Sequence, residues 1–164
     1  MLNGPPHVHK RVNRLTGASW NELSATAPEL AAFGQERLDG KVAYLATVKP
    51  TGEPRAYPIT PIIGAGRCFV FTEPRSPKSR DLRENGLFCL HCALSDTSGS
   101  SGEFQMSGVA RQIEDAEVRA EAEGVSSYKP SSRYLLFELT VQEVVSTAYR
   151  GGRPERRRWS YPAD

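Results

Sequence analysis

The most chemically suggestive residues of this chain lie in the stretch 71–82, FTEPRSPKSRDL. Ser76 is of a type that caps helix N-termini and Pro77 is favoured at the first helical position, so a helix is predicted to begin there. The amides of a first helical turn carry partial positive charge. Three basic side chains and a hydroxyl group surround the same turn: Arg75, Lys78, Arg80 and Ser79. Together these groups predict a site for a phosphate.

The alternative interpretation of this stretch is an ordinary capped surface helix with solvated basic side chains. Arg55 favours the phosphate site, because it lies between Pro54 and Pro58 on a preceding predicted hairpin. A second arginine delivered beside prolines would form a groove suited to a planar ligand.

Helical patterning is found in the N-terminal part of the chain, before its β-rich part. Ser19 and Glu22 have the spacing of a capping box, and apolar residues recur at near-helical intervals as far as Leu38. This predicts a helical region that is interrupted near Pro28. A second helix is predicted from Pro77 to about Glu84, and a third from Asp115 to about Glu123.

Short β-rich runs separated by turns follow from Val42 onward. The predicted strands are Val42–Val48, Pro54–Ile63, Arg67–Thr72, Leu87–Ala93, Glu103–Ile113 and Tyr134–Thr147. Since proline cannot donate to a sheet, the strand containing Pro58 and Pro61 should be an edge strand, be bulged, or expose backbone to a ligand. The first three strands are joined by turns too short for parallel crossovers. The predicted fold is therefore mainly β (α+β), an antiparallel barrel with peripheral helices.

Four segments carry a family resemblance when they are taken together: LATV at 45–48, GEPRAYPIT at 52–60, FT at 71–72 with SPKSRDL at 76–82, and FQMSGVA at 104–110. In this order they resemble the pyridoxamine 5'-phosphate oxidase-like family of FMN-binding split barrels. The resemblance implies that the predicted barrel is an antiparallel split β-barrel with peripheral helices. The resemblance covers roughly residues 42–147 and depends on the order and spacing of the four segments.

The resemblance implies a homodimer with FMN in a groove between the two chains. It places the flavin ring and ribityl chain along 55–60, with Arg55 also reaching the phosphate, and it gives Ser76 and Lys78 direct phosphate contacts. The cofactor-binding residues that it implies are Arg55, Ala56, Tyr57, Pro58, Ile59, Thr60, Phe71, Thr72, Ser76, Pro77, Lys78 and Glu103. The function implied is that of a flavin-dependent oxidoreductase, in which the flavin itself carries the electron transfer and no catalytic side chain is assigned.

The chain also departs from the family pattern. Pro77 stands where true pyridoxamine phosphate oxidases have an arginine, Glu103 stands where they have a glutamine near the flavin, and their C-terminal Arg-x-His element is missing. Authentic pyridoxamine phosphate oxidase activity is therefore not expected. Other branches of the superfamily bind a deazaflavin coenzyme or haem, and these ligands remain alternatives to FMN, as does a non-catalytic flavin-binding or sensing protein.

The cysteines and histidines do not predict a metal site. Cys89 and Cys92 have a C-x-x-C spacing, but on a strand this spacing places them on opposite faces. Three cysteines in a chain without an export signal indicate reduced thiols and a cytoplasmic location. His7 and His9 lie in the stretch 1–17, which is predicted to be a flexible arm preceding a single domain at 18–164.

Charge and hydropathy narrow the range of partners. A net charge of +2 does not require a polyanionic partner, and no apolar run is long enough to span a bilayer, so neither nucleic acid nor membrane is expected. The arginine-rich stretch 153–159 has two open interpretations: a solvated basic tail, or a source of cationic and aromatic contacts to a ligand in the dimer groove.

Overall fold

The computed structural model describes residues 16–162, which contain four helices and eight strands. The helices are α1 (Trp20–Thr26), α2 (Pro28–Leu38), α3 (Pro77–Glu84) and α4 (Ala116–Val125). The strands are β1 (Ala43–Val48), β2 (Pro54–Ile59), β3 (Ile62–Gly64), β4 (Arg67–Thr72), β5 (Leu87–Cys92), β6 (Glu103–Ile113), β7 (Leu135–Arg150) and β8 (Arg153–Ser160).

The helix boundaries follow from local capping chemistry. The Ser19 hydroxyl accepts from the Glu22 amide, and the Glu22 carboxylate accepts from the Ser19 amide at 2.7 Å, which completes the predicted capping box at α1. Pro28 begins α2, so the predicted interruption separates two helices. Asp115 caps α4 by accepting from two first-turn amides.

The strands form one antiparallel sheet in the order β2-β1-β5-β6-β7-β4-β3, with β8 paired to β7. β2 and β3 are consecutive in the chain but lie at opposite ends of this order. The chain therefore passes from one edge of the curved sheet to the other at 60–61, and this gives a split barrel with peripheral helices. The predicted fold class is confirmed.

The predicted second strand, Pro54–Ile63, is wrong in its continuity. It is interrupted at 60–61, and β2 and β3 pair with different partners, β1 and β4. Pro61 has no amide hydrogen to donate and its ring restricts the backbone, so the ladder ends there. Pro58 lies on β2 at the edge of the sheet, as one of the three predicted explanations required.

The interpretation of 153–159 as a solvated tail is also wrong. This segment forms β8, which pairs with β7 over Glu143–Arg150, and β7 runs past the predicted end at Thr147. The inward side chains of β8 are anchored on the N-terminal helices. Arg157 pairs with Glu29 at 2.9 Å, and the Trp159 indole donates to Thr26 at 3.1 Å.

Two apolar clusters fill the described part of the protein. The larger one joins α1 and α2 to the inner sheet face, and Trp20 contacts Phe104 with ring centroids 6.2 Å apart. The smaller one lies between α4 and the β3–β4 hairpin and contains Ile62, Phe69 and Phe71. The larger cluster also contains Leu82 of α3, Leu45 of β1 and Ile59 of β2, and so packs these three elements together.

Two backbone features of the sheet require particular residue types. Where β7 bulges at Gln142, opposite Ser107 and Gly108 of β6, a side chain on Gly108 would overlap the carbonyl group of Thr140. In the β3–β4 turn, Ala65 has a left-handed φ of 52° and Gly66 one of 73°. Among residues 16–162, Ala65 is the one residue other than glycine that has a positive φ.

The predicted arm at 1–17 lies almost entirely outside the described residues. Thr16 and Gly17 are described, and Gln142 on β7 donates to the Thr16 carbonyl at 3.0 Å. The proposed division into an arm and a single domain therefore stays a prediction. Across residues 16–162, no helix is long and apolar enough to cross a membrane.

Candidate functional site

The site begins with the first turn of α3. The Ser76 hydroxyl accepts from the Ser79 amide at 3.3 Å and lies 2.7 Å from the Glu73 carbonyl, to which it donates. Pro77 occupies the first helical turn. The sequence prediction of a capped helix start is confirmed, and this turn presents Lys78 beside the barrel wall.

Buried hydroxyl groups attach this turn to β4. The Ser79 hydroxyl is fully buried and lies 2.6 Å from both the Thr72 hydroxyl and the Glu73 carbonyl. Because hydrogen bonds inside the protein are shielded from water, they fix the α3 turn against the sheet more firmly than exposed ones would. Sequence reasoning placed Ser79 among the groups that surround this turn and Thr72 among the cofactor-binding residues.

Arg55 reaches α3 from β2 and pairs with Asp81. Its Nε lies 3.2 Å from Asp81 Oδ2, and its Nη2 donates to Oδ1 at 3.3 Å. Asp81 is fully buried, and it also accepts a hydrogen bond of 2.8 Å from the Thr47 hydroxyl on β1. The Arg55 side chain is 26% exposed, so part of the guanidinium can reach a ligand.

Tyr57 lies two residues further along the same face of β2. The Lys78 ammonium lies 5.3 Å from the centre of the Tyr57 ring, within the range of a cation–π contact. The structure therefore brings Arg55, Tyr57 and Lys78 together at the start of α3, next to Ser76. These are residues that the sequence assigned to the site.

The remaining predicted residues fall outside this cluster. Ala56 and Pro58 are exposed on the opposite face of β2, because successive strand residues alternate. Ile59 and Phe71 are buried in the two apolar clusters, and Thr60 lies at the break between β2 and β3. This chain alone does not place these residues beside Lys78.

Glu103 lies elsewhere in the sheet. It begins β6, where its carboxylate lies 3.7 Å from His91 Nε2 on β5, and β5 and β1 separate it from β2. No contact joins Glu103 to the α3 turn within the described chain. Its predicted role near a flavin would require a second copy of the protein.

Asp81 and Thr47 are the main residues that sequence reasoning missed. Asp81 is the one acidic residue among 75–83, where the neighbours are otherwise basic or neutral. A carboxylate inside a predicted phosphate-binding stretch was a signal that could have raised the question of its partner. Thr47 carries no such signal, because only the β1–β2 pairing and the packing of α3 bring it to Asp81.

The chain's relationship to known proteins agrees with this architecture. Residues 27–148 match the sequence profile of the family described as pyridoxamine 5'-phosphate oxidase. This match spans most of the chain and includes both α3 and β2. The chain belongs to the pyridoxamine 5'-phosphate oxidase family.

Solved structures share the fold of this pyridoxamine 5'-phosphate oxidase family member at low identity. A heme binding protein from Mycobacterium smegmatis is 20% identical over 79% of this chain and 57% of its own length, with a TM-score of 0.61. HutZ, the heme storage protein from Vibrio cholerae, is 20% identical over 82% and 94% of the two chains, with a TM-score of 0.54. PhzG from Burkholderia lata 383, in complex with tetrahydrophenazine-1-carboxylic acid, is 16% identical over 85% and 92%, with a TM-score of 0.52.

These likenesses show the fold alone. This chain spans little more than half the length of the Mycobacterium smegmatis protein. A search of curated proteins finds no match.

The outer face of the sheet carries a second group of polar side chains. Cys89 and His91 lie on β5 with the partly exposed Tyr44 of β1 opposite His91. His91 Nδ1 lies 2.6 Å from the Cys92 carbonyl, to which a protonated Nδ1 donates. Burial raises the pKa of the Cys89 thiol, and the nearby Glu143 carboxylate raises it further. Cys89 therefore stays protonated near neutral pH and is a poor metal ligand.

A charged cluster at another part of the barrel is separate from the α3 turn. Glu138, with 3% of its side chain exposed, accepts from Arg111 at 2.8 Å and from Arg67 at 3.3 Å, which joins β7 to β6 and β4. Glu138 and Arg111 also line a surface cleft of about 450 Å³. This cleft does not include Arg55, Tyr57 or Lys78, so its residues do not form part of the predicted phosphate site.

Proposed function

We propose that this protein binds FMN, with the phosphate at the start of α3 and the flavin along β2. The observation that carries this proposal is the convergence of Arg55, Tyr57 and Lys78 beside the Ser76-capped helix start. Two cationic side chains, a hydroxyl and a helix N-terminus form an arrangement suited to a dianionic phosphate ester.

The residues present fit such a group. Arg55 Nε is shielded from solvent and makes no hydrogen bond, although the Asp81 carboxylate is close to it. The two Nη nitrogens of Arg55 form a second guanidinium edge, which would bind a phosphate oxygen while the Nε side faces Asp81. Lys78 is partly buried, and its flexible stem allows its ammonium to move from the Tyr57 ring toward a phosphate.

We propose further that the protein is a homodimer in which the outer face of the sheet meets a second copy. Apolar side chains on that face are only partly covered: Tyr44 is 50% exposed and Val42 is 52% exposed. Ala56 and Pro58 of the edge strand β2 are exposed next to them. A second chain covering this face would bury apolar surface and would account for the predicted roles of Ala56, Pro58 and Glu103.

The reaction class that we propose is flavin-dependent oxidation or reduction of a small molecule. Bound FMN would supply hydride or electron transfer. The protein's own residues would bind the phosphate, orient the ring along β2 and exclude water. Because residues 16–162 contain three free cysteines, we also propose a cytoplasmic, reducing location.

The first test is an absorbance spectrum of the purified protein, followed by titration with FMN and with riboflavin. Lys78→Ala should weaken FMN binding by about tenfold, the equivalent of one charge-assisted contact, and should leave riboflavin binding unchanged. Lys129→Ala is the matched control, since Lys129 is exposed and lies outside this cluster. Mass spectrometry of a ligand released by heat distinguishes FMN from a deazaflavin coenzyme. A wild-type protein that takes up no FMN contradicts the proposal.

The proposed dimer has its own measurement. Light scattering after size-exclusion chromatography should give twice the chain mass of 18.1 kDa. Tyr44→Asp places a charge on the outer face and should shift the protein toward monomer, whereas Tyr161→Asp is a control at a residue outside this group of side chains. A monomeric wild-type protein contradicts this part of the proposal.

Haem is a second candidate ligand because His91 is suitably oriented. Donation from Nδ1 to the Cys92 carbonyl leaves Nε2 available on the outer sheet face, which is how proteins commonly hold a metal-binding imidazole. Against this, the Glu103 carboxylate lies 3.7 Å from Nε2, the atom that an iron ion would have to reach. A haem titration monitored by the Soret band, with His91→Ala as the variant, separates this candidate from FMN.

A further inference from the structure

Asp81 is a fully buried carboxylate beside the proposed phosphate site. A negative charge at this place opposes phosphate binding by simple Coulomb repulsion. Burial of an ionised carboxylate is also costly unless it is paired and hydrogen-bonded. Its position therefore calls for a role that offsets both effects.

The contacts of Asp81 define such a role. Oδ2 accepts from the Thr47 hydroxyl at 2.8 Å and lies 3.2 Å from Arg55 Nε, while Oδ1 accepts from Arg55 Nη2 at 3.3 Å. The carboxylate thus approaches the side of the guanidinium formed by Nε and Nη2. Because a guanidinium is planar and has five N–H groups, this pairing fixes its plane and leaves the edge formed by its two Nη nitrogens for another oxyanion.

The ion pair between Asp81 and Arg55 also determines which residue attracts the phosphate by its charge. Asp81 offsets the positive charge of Arg55, so the net attraction for a phosphate comes mainly from Lys78. Arg55 then contributes directed hydrogen bonds more than charge. Thr47, fully buried on β1, holds the carboxylate in place through its hydrogen bond to Oδ2.

We infer that Asp81 is a positioning residue that orients Arg55 for the phosphate of the ligand, and that the Thr47–Asp81–Arg55 chain selects a phosphorylated flavin over riboflavin. This inference rests on the proposed FMN function. It predicts a change in FMN affinity opposite in sign to the change that the loss of charge alone would cause. Removing the Asp81 charge would strengthen phosphate binding if Coulomb repulsion dominated, and weakens it if the orientation of Arg55 dominates.

The experiment measures the dissociation constants of FMN and riboflavin for the wild-type protein and for Asp81→Asn. We expect Asp81→Asn to weaken FMN binding by about tenfold, or about 1.4 kcal/mol, and to change riboflavin binding by less than about twofold. Glu84→Gln is the matched control, because it removes an exposed carboxylate from the same helix. It should leave FMN binding unchanged or slightly tighter.

The ratio of the two constants separates positioning from general damage, since a loosened fold would weaken both ligands alike. Unchanged or tighter FMN binding in Asp81→Asn overturns the inference, and so does an equal loss of both ligands.

If Asp81→Asn does not fold, Thr47→Val replaces it. It keeps the ion pair and should weaken FMN binding alone by about threefold, because it removes a hydrogen bond that holds the carboxylate in place. An unchanged FMN dissociation constant in Thr47→Val also overturns the inference. A wild-type protein that binds neither flavin refutes the proposed function itself, whereas failure of this inference leaves wild-type FMN binding intact.

Discussion

Removing the two cationic side chains of the site should have different effects on stability, because only Arg55 pairs with a buried charge. Unit charges about 4 Å apart attract by about 4 kcal/mol at an effective dielectric constant of 20. Arg55 is 26% exposed, so water replaces part of this attraction. We therefore expect Arg55→Ala to lower the free energy of unfolding by about 3 kcal/mol. Lys78→Ala loses only a partly solvated cation–π contact and should cost less than about 1 kcal/mol.

The assay is urea denaturation at a fixed protein concentration, monitored by the fluorescence of the buried Trp20. The double variant Arg55→Ala/Asp81→Asn removes the unpaired charge as well. It should recover at least about 1 kcal/mol relative to Arg55→Ala alone, since a buried amide costs less than a buried unpaired carboxylate. The reasoning is refuted if Arg55→Ala costs no more than Lys78→Ala, or if the double variant is no more stable than Arg55→Ala.

Three further predictions concern two backbone positions of the sheet and the Cys89 thiol. Ala65→Gly should raise the free energy of unfolding by about 1 kcal/mol in the same urea assay, because glycine accepts the left-handed φ of this turn without strain; a loss of stability would contradict this. Gly108→Ala should destabilise by about 3 kcal/mol, since the new methyl group would overlap a carbonyl on β7, whereas Gly124→Ala in α4 meets no atom within 4 Å and should be neutral or stabilising. Cys89 should react with iodoacetamide more slowly than a free cysteine at pH 8, because burial and Glu143 raise its pKa and keep the thiol protonated; a rate equal to that of free cysteine would contradict the shift.

Local signals in the sequence were sufficient to predict many of the helix starts and strand limits. The capping box at Ser19, the proline at Pro28 and the Ser76-Pro77 pair each determine a helix start through contacts within one turn, so they could be predicted without knowing the fold. The strand from Glu103 to Ile113 was predicted with its exact limits. The missing amide hydrogen of Pro58 left three explanations open, and an edge strand is the one that the structure shows.

Long-range pairing decided what the sequence alone did not. The segment RPERRRWS has few residues of high strand propensity, and it becomes β8 because β7 extends beyond the predicted limit and offers it an edge. Its arginines are held by partners far away in the chain, such as Glu29. Composition alone describes such a segment as a basic tail.

The site divides in the same way. The sequence by itself determined that Ser76, Pro77 and Lys78 form a capped helix start, because those interactions are local. Only the tertiary structure decided that Arg55 pairs with Asp81 and that Thr47 completes the chain of contacts, because these residues lie on three different elements and meet only when α3 packs against β1 and β2. Ion pairs and hydrogen bonds act over a few ångströms in space and do not depend on separation along the chain, so a one-dimensional pattern does not reveal them.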